Sequence, residues 1–186
     1  MKTLGKKIVG VAPLLLHNCR LSDPLDELTQ AIKAVSSKRK KTDADIEEMA
    51  RLEWHGSLYL NDKLKVIVPA HNIVAMLIAA ARKNKLGKQF AAGVFVNDDC
   101  VLQYSGPNDV TKLWEDKRFQ NRSSVKIQRN RVMRTRPMFT EWSLEIKILY
   151  DPSIVKECEI NAALEIAGAI IGLGDWRPQY GRFDVA

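Results

Sequence analysis

Two stretches of the chain are patterned strongly enough to anchor the rest. From Trp142 to Tyr150, the residues Trp142, Leu144, Ile146, Ile148 and Tyr150 alternate with Ser143, Glu145 and Lys147. That period of two predicts a strand with one buried face. From Ile160, Ala163, Leu164, Ala167 and Ile171 recur at helical spacing and predict an amphipathic helix. Near the start, Lys7 to Leu16 is β-branched and leucine-rich, which predicts a buried first strand. Asp23-Pro24 then supplies an N-cap and a first-turn proline, with Leu25, Leu28, Ile32 and Val35 at helical positions behind them. Ser36 to Lys41 is a linker ending in the cations Lys38-Arg-Lys-Lys41. Thr42-Asp-Ala-Asp45 resembles a capping box that opens a helix with Ile46, Met49 and Leu52 on one face. Together these predict an α-hairpin inserted over residues 22–55.

The middle of the chain reads as shorter pieces. Ser57–Leu60 and Lys65–Val68 are strand patterns joined through Asn61-Asp62, a turn signal. Pro69 to Asn72 starts a helix through Ile73, Met76, Leu77 and Ala80. It ends in Arg82, Lys83 and Lys85 before a capping Gly87. Phe90–Val96 and Val101–Tyr104 predict a strand pair around Asn97-Asp98-Asp99. Pro107 to Ser124 predicts a long polar loop with one helical turn near Leu113-Trp114. Val125–Thr135 is expected to pair with the Trp142 strand as a hairpin, and its alternation slips at Val132-Met133, as at a bulge. A last strand is expected at Phe183-Asp184-Val185. Without the insertions the order is β-α-β-β-α-β. The expected class is therefore α+β: a ferredoxin-like antiparallel sheet with helices on one face, in a single domain over 1–186. RNA-recognition modules of this topology hold single strands on the open sheet face.

Charge changes the picture more than composition does. The chain has 186 residues, enough for a real core, and a net charge of +7. Lys112, Lys117, Arg118, Arg122, Lys126, Arg129, Arg131, Arg134 and Arg136 fall in one segment, opposed only by Glu115 and Asp116, so this segment accounts for the whole excess. Arginine predominates there, which suits bidentate contacts to phosphate. Its bland counterpart is a solvated basic face. The three cysteines, Cys19, Cys100 and Cys158, are odd in number and widely spaced, against a disulfide framework and for a reducing compartment. The apolar runs near Leu14 and Ile170 are too short to cross a bilayer, and the N-terminus lacks a signal-peptide core. A cytoplasmic protein with no membrane partner is expected.

The candidate site follows from charge and loop composition. Lys126, Arg129, Arg131, Arg134 and Arg136 are expected to contact phosphates. The second group is the loop Gly172-Leu-Gly-Asp-Trp-Arg-Pro-Gln-Tyr-Gly-Arg182, where Gly172, Gly174 and Gly181 permit close backbone approach and Arg177 and Arg182 can pair with phosphate. Trp176 and Tyr180 can stack on bases. The alternative for this loop is a helix cap and turn, with Trp176 and Phe183 closing the core. His17 and His71 are candidate acid–base groups, but capping or hydrogen-bonding roles suit them better, since no pattern sets a second catalytic group beside either. No Cys/His spacing suits a metal, and there is no phosphate-binding Walker loop, nucleophile elbow or dinucleotide fingerprint. Neither cofactor nor metal is expected.

The segments Val66-Ile-Val-Pro-Ala-His-Asn-Ile-Val-Ala-Met-Leu77 and Ile171 to Val185 carry a family resemblance. The first resembles the strand, proline and small polar residues that lead into the first helix of the CRISPR-associated RAMP superfamily. The second is similar to that superfamily's glycine-rich loop, which ends in Gly-Arg-Phe or Gly-Phe-Gly-Arg, although Asp175, Trp176 and Pro178 replace the usual glycines and serines. The likeness is closest to the crRNA-binding backbone subunits, and the whole chain looks like proteins of tailed bacteriophages. This resemblance implies a RAMP-like core that binds RNA without cleaving it, acting in the cytoplasm of a bacterial host. The reading is thus a non-enzymatic protein that binds single-stranded nucleic acid, RNA before DNA. One alternative is a protein-interaction role, as a homo-oligomer or on a host complex, using Leu28, Met49 and Trp54 as an exposed apolar surface. The other is a metal-independent endoribonuclease using His17 or His71.

Overall fold

A computed structural model describes residues 1–128 and 130–186, with Ile127 described in its backbone only. Along the chain the strands are β1 (Lys2–Gly10), β2 (Leu14–Leu15), β3 (Ile67–Val68), β4 (Val94–Phe95) and β5 (Cys100–Val101). They continue as β6 (Gln103–Tyr104), β7 (Gln120–Ile127), β8 (Asn130–Phe139), β9 (Trp142–Tyr150) and β10 (Phe183–Val185). The α-helices are α1 (Glu27–Ser36), α2 (Asp43–Ser57), α3 (Ala70–Ala81), α4 (Gly87–Gly93), α5 (Val110–Glu115) and α6 (Glu157–Ile166). The chain is α+β with antiparallel sheets, and it divides into two compact units with interleaved segments. The first comprises Met1–Leu14, Leu60–Ser105 and Phe139–Ala186, and the second Leu15–Tyr59 and Gly106–Met138.

The first unit is built on the sheet β10-β1-β9-β4, with β6 also paired to β9. Every pairing in it is antiparallel. The alternation in β9 is borne out: Trp142, Leu144, Ile146, Ile148 and Tyr150 are buried and Glu145 and Lys147 exposed. Buried rows on α3 (Ile73, Met76, Leu77, Ala80) and on α6 (Ile160, Ala163, Leu164) form the helical side of this core, and the two helices pack on each other. Asp99 caps α3, accepting from the Ala70 N–H at 2.9 Å, because proline at the N-cap position offers no side-chain acceptor. The opposite sheet face is exposed at Thr3, Lys7 and Val9 of β1 and at Glu145 and Lys147 of β9.

In the second unit α1 and α2 pack together as the expected α-hairpin. Thr42 and Asp45 form the capping box read from the sequence. Trp54 is fully buried, and its indole N–H donates to the Phe119 carbonyl at 2.8 Å. Leu52, Leu58, Leu113 and Phe119 are buried too.

Several expectations need correction. The first strand starts at Lys2 and ends at Gly10, and Leu14–Leu15 belong to a separate strand. The first helix is capped by Asp26, which accepts from the N–H groups of Leu28 and Thr29, while Asp23 makes a turn to Leu25. Lys85 (φ 61), not Gly87, takes the left-handed turn, and Gly87 opens α4. The strand expected over Phe90–Val96 is mostly that short helix; only Val94–Phe95 is extended, and it pairs with β9, while Cys100–Val101 pairs with β3. Val125–Thr135 is not one bulged strand but parts of β7 and β8, folded on each other about a turn that begins at Gln128 (φ 53). The Trp142 strand pairs with β1 instead.

Candidate nucleic-acid interface

The basic segment becomes the β7–β8 hairpin, whose register decides which cations act together. Opposite residues are Arg122 with Thr135, Ser124 with Met133 and Lys126 with Arg131; the alternate pairs are Asn121 with Arg136, Ser123 with Arg134 and Val125 with Val132. Opposed residues project to one face and neighbours along a strand to opposite faces. Arg122, Lys126 and Arg131 therefore share one face and are all exposed. Arg134 and Arg136 project to the other. The expected arginine cluster is split by register, and Arg129 lies outside the described residues.

Arg134 has a structural partner. Its guanidinium is ion-paired to Glu53 of α2, whose carboxylate also accepts the Thr135 N–H at 3.0 Å. Glu53 is only 4% exposed, and a buried carboxylate needs such partners. Arg136 is half-buried, with Nε and Nη1 shielded from solvent. Arg118 is bound to Asp116 at 2.7 Å, which holds that carboxyl below its usual range. Much of the excess charge is thus used inside the unit. Of the hairpin cations expected to contact phosphate, Lys126 and Arg131 are exposed, and Arg122, which lies outside that expected set, shares their face. Its signal was even spacing: Arg122, Ser124 and Lys126 share parity along a strand.

Beside this face is a cavity of about 410 Å³ lined by residues of α2, by Trp114 and Lys117, and by Gln120, Arg122 and Thr135 of the hairpin. Trp114 meets the edge of Trp54 with ring centres 5.5 Å apart, and the Lys117 ammonium lies 5.3 Å from the Trp114 ring centre. Arg51 and Glu48 form a two-pronged pair at 2.7 and 2.8 Å. Burial, and then the Arg51 charge, push His55 below the ordinary histidine range.

The C-terminal loop belongs to the first unit and is closed by its own backbone. Leu173 N–H donates to the Gly181 carbonyl at 2.8 Å, and Gly181 N–H to the Pro13 carbonyl at 2.8 Å. Gly172 N–H caps the preceding helical turn at the Ala167 carbonyl, 2.7 Å away. Gly172, Gly174 and Gly181 all have positive φ (76, 78 and 73°), and a Cβ on Gly181 would come within 1.8 Å of the Leu173 oxygen. The glycines are thus required by the loop itself, and the amides of Gly172 and Gly181 are spent on it. Trp176 and Tyr180 stack on each other, 5.9 Å apart at 19°, with Trp176 39% exposed. Arg177 and Arg182 are exposed, whereas Phe183 is buried.

His17 Nδ1 lies 3.5 Å from the Ser57 hydroxyl, and the Tyr59 hydroxyl donates to its carbonyl, while His71 is exposed on α3. Trp54, expected on an exposed docking surface, is fully buried because its ring fills the core of its unit. Among the described residues no His/Cys/Asp/Glu group could hold a metal ion, and no helix is long and apolar enough to cross a membrane. No protein-family model matches the chain, and no curated protein matches it.

Proposed function

We propose that the chain is a non-enzymatic protein that binds single-stranded nucleic acid, RNA in preference to DNA, through the Arg122–Lys126–Arg131 face of its hairpin. One observation carries this: Lys126 and Arg131 stand directly opposite each other on an exposed pair. Like charges so placed destabilise a hairpin, and a polyanion relieves them. Arg122 lies four residues along the same strand, about 14 Å away at the usual rise, so the charges form a track for a backbone. The face offers cations and a hydroxyl, which suits binding better than acid–base cleavage.

The first unit's strand order supports the ferredoxin-like part of the reading. With α3 in the crossover before β4 and α6 in the crossover before β10, the order β10-β1-β9-β4 is that of a β-α-β-β-α-β antiparallel sheet. The proposed class is accordingly a RAMP-like, bacteriophage-encoded binding protein of the host cytoplasm. Among the described residues, neither central strand turns an aromatic ring to the open sheet face, and Phe95 of the edge strand β4, opposite Leu149 and exposed, is the ring that face offers for stacking. Fluorescence anisotropy against labelled single-stranded RNA, single-stranded DNA and duplex across a salt series tests the reading. Tight, salt-steep binding with single strands preferred is expected. No binding at low salt would overturn it in favour of a protein partner.

A further inference from the structure

The cavity beside the hairpin is continuous with the basic face, since Arg122 and its cross-strand partner Thr135 belong to both. It lies within the size range of small-molecule sites. Its aromatic wall is preorganised. Trp114 rests edge-on against Trp54, which is itself fully buried and fixed by its hydrogen bond to Phe119. The Gln120 side chain donates to the Trp114 carbonyl, tying α5 to the start of β7. Lys117 covers the ring but is exposed, so it can move aside at little cost.

A half-buried indole with Lys117 over its ring and Arg122 lining the same cavity is the chemistry that recognises an aromatic ring joined to an anion. Arg51 is already neutralised by Glu48, which leaves Lys117 and Arg122 to take a phosphate. We infer that this cavity is a nucleotide subsite: one base of the bound strand stacks on Trp114 while its phosphate pairs with Lys117 and Arg122. The inference rests on the hairpin reading and adds a base-dependent contact to a charge-dependent one. An acidic protein segment is the competing occupant: its carboxylates could pair with the same cations but bring no base to the indole, so a chain that binds oligouridylate no better than the abasic strand would favour it over the nucleotide.

The test compares a short oligouridylate with a base-free abasic strand of equal length, on the full chain and on Trp114→Leu and Lys117→Ala. Stacking on a single aromatic ring makes about a tenfold difference in affinity. Trp114→Leu is expected to weaken oligouridylate binding about tenfold without changing its salt slope, and to leave the abasic strand unaffected. Lys117→Ala, an exposed change that does not threaten the core, is expected to weaken both strands and flatten the slope by about 0.7. Should Trp114→Leu fail to fold, quenching of tryptophan emission by uridine monophosphate takes its place: Trp114→Phe should lose the response that the unmodified chain shows. Wild-type affinity in both variants, with the unmodified chain still binding in a salt-steep manner, overturns the subsite and leaves the hairpin reading intact. Absence of any salt-steep binding overturns both.

Discussion

Replacing Lys126 and Arg131 by alanine removes two opposed cations from the hairpin face while touching nothing buried. On a single strand each phosphate contact contributes about −0.7 to the slope of log K against log salt, so the double variant should flatten that slope by about 1.4. At about 0.1 M salt the same loss amounts to roughly 25-fold in affinity. Stability should move the other way, because like charges opposite each other cost about 0.2–1 kcal/mol, and the variant should melt no lower than the parent. The assay is an anisotropy salt series with a thermal melt on the same samples. Lys63→Ala with Lys65→Ala, exposed residues of the other unit, changes net charge equally and controls for the general field. An unchanged slope in the hairpin variant, or an equal change in the control, would refute the assignment.

Other consequences are independent of binding. Glu53→Ala leaves the buried Thr135 N–H without an acceptor, while Arg134, a third exposed, keeps water; the cost is about 1–3 kcal/mol, or about 5 °C in melting temperature. Arg134→Glu should destabilise similarly, whereas Arg131→Glu should only weaken binding. Gly181→Ala should cost ~2 kcal/mol or more through left-handed strain and the clash with Leu173, read as a lowered melting temperature. Gly5→Ala, with open space at the new Cβ, should be neutral or slightly stabilising. His55 has a depressed folded value, so the unfolded chain takes up its proton first. The resulting stability is full above pH 6.5 and is lost as pH falls through the window beneath it; His55→Gln should flatten that part of a melting-temperature profile. Burial, reinforced by Asp99 and Asp98, pushes the Cys100 thiol up to about 11. Alkylation of the native chain at pH 8 should label exposed Cys19 and Cys158 and spare Cys100, as read by peptide mass spectrometry.

Local periodicity by itself determined the buried face of Trp142–Tyr150, the Thr42–Asp45 capping box, the apolar face of Glu157–Ile166 and the last strand, because these depend on residues a few positions apart. The glycine-rich loop was legible as a place of special backbone, though not as a loop whose own closure uses its amides. Only tertiary structure decided what each strand pairs with. Alternation names the buried side of β9 but cannot name β1, whose Lys2 lies opposite Tyr150. No glycine marks the turn that begins at Gln128, so the sequence reads as one strand with a slip and its arginines as one cluster. Once the turn is placed, parity alone sends Arg131 to solvent and Arg134 to the opposite face, within reach of Glu53. Charge is counted along the chain, but a site is made by register, and register depends on where a chain folds back.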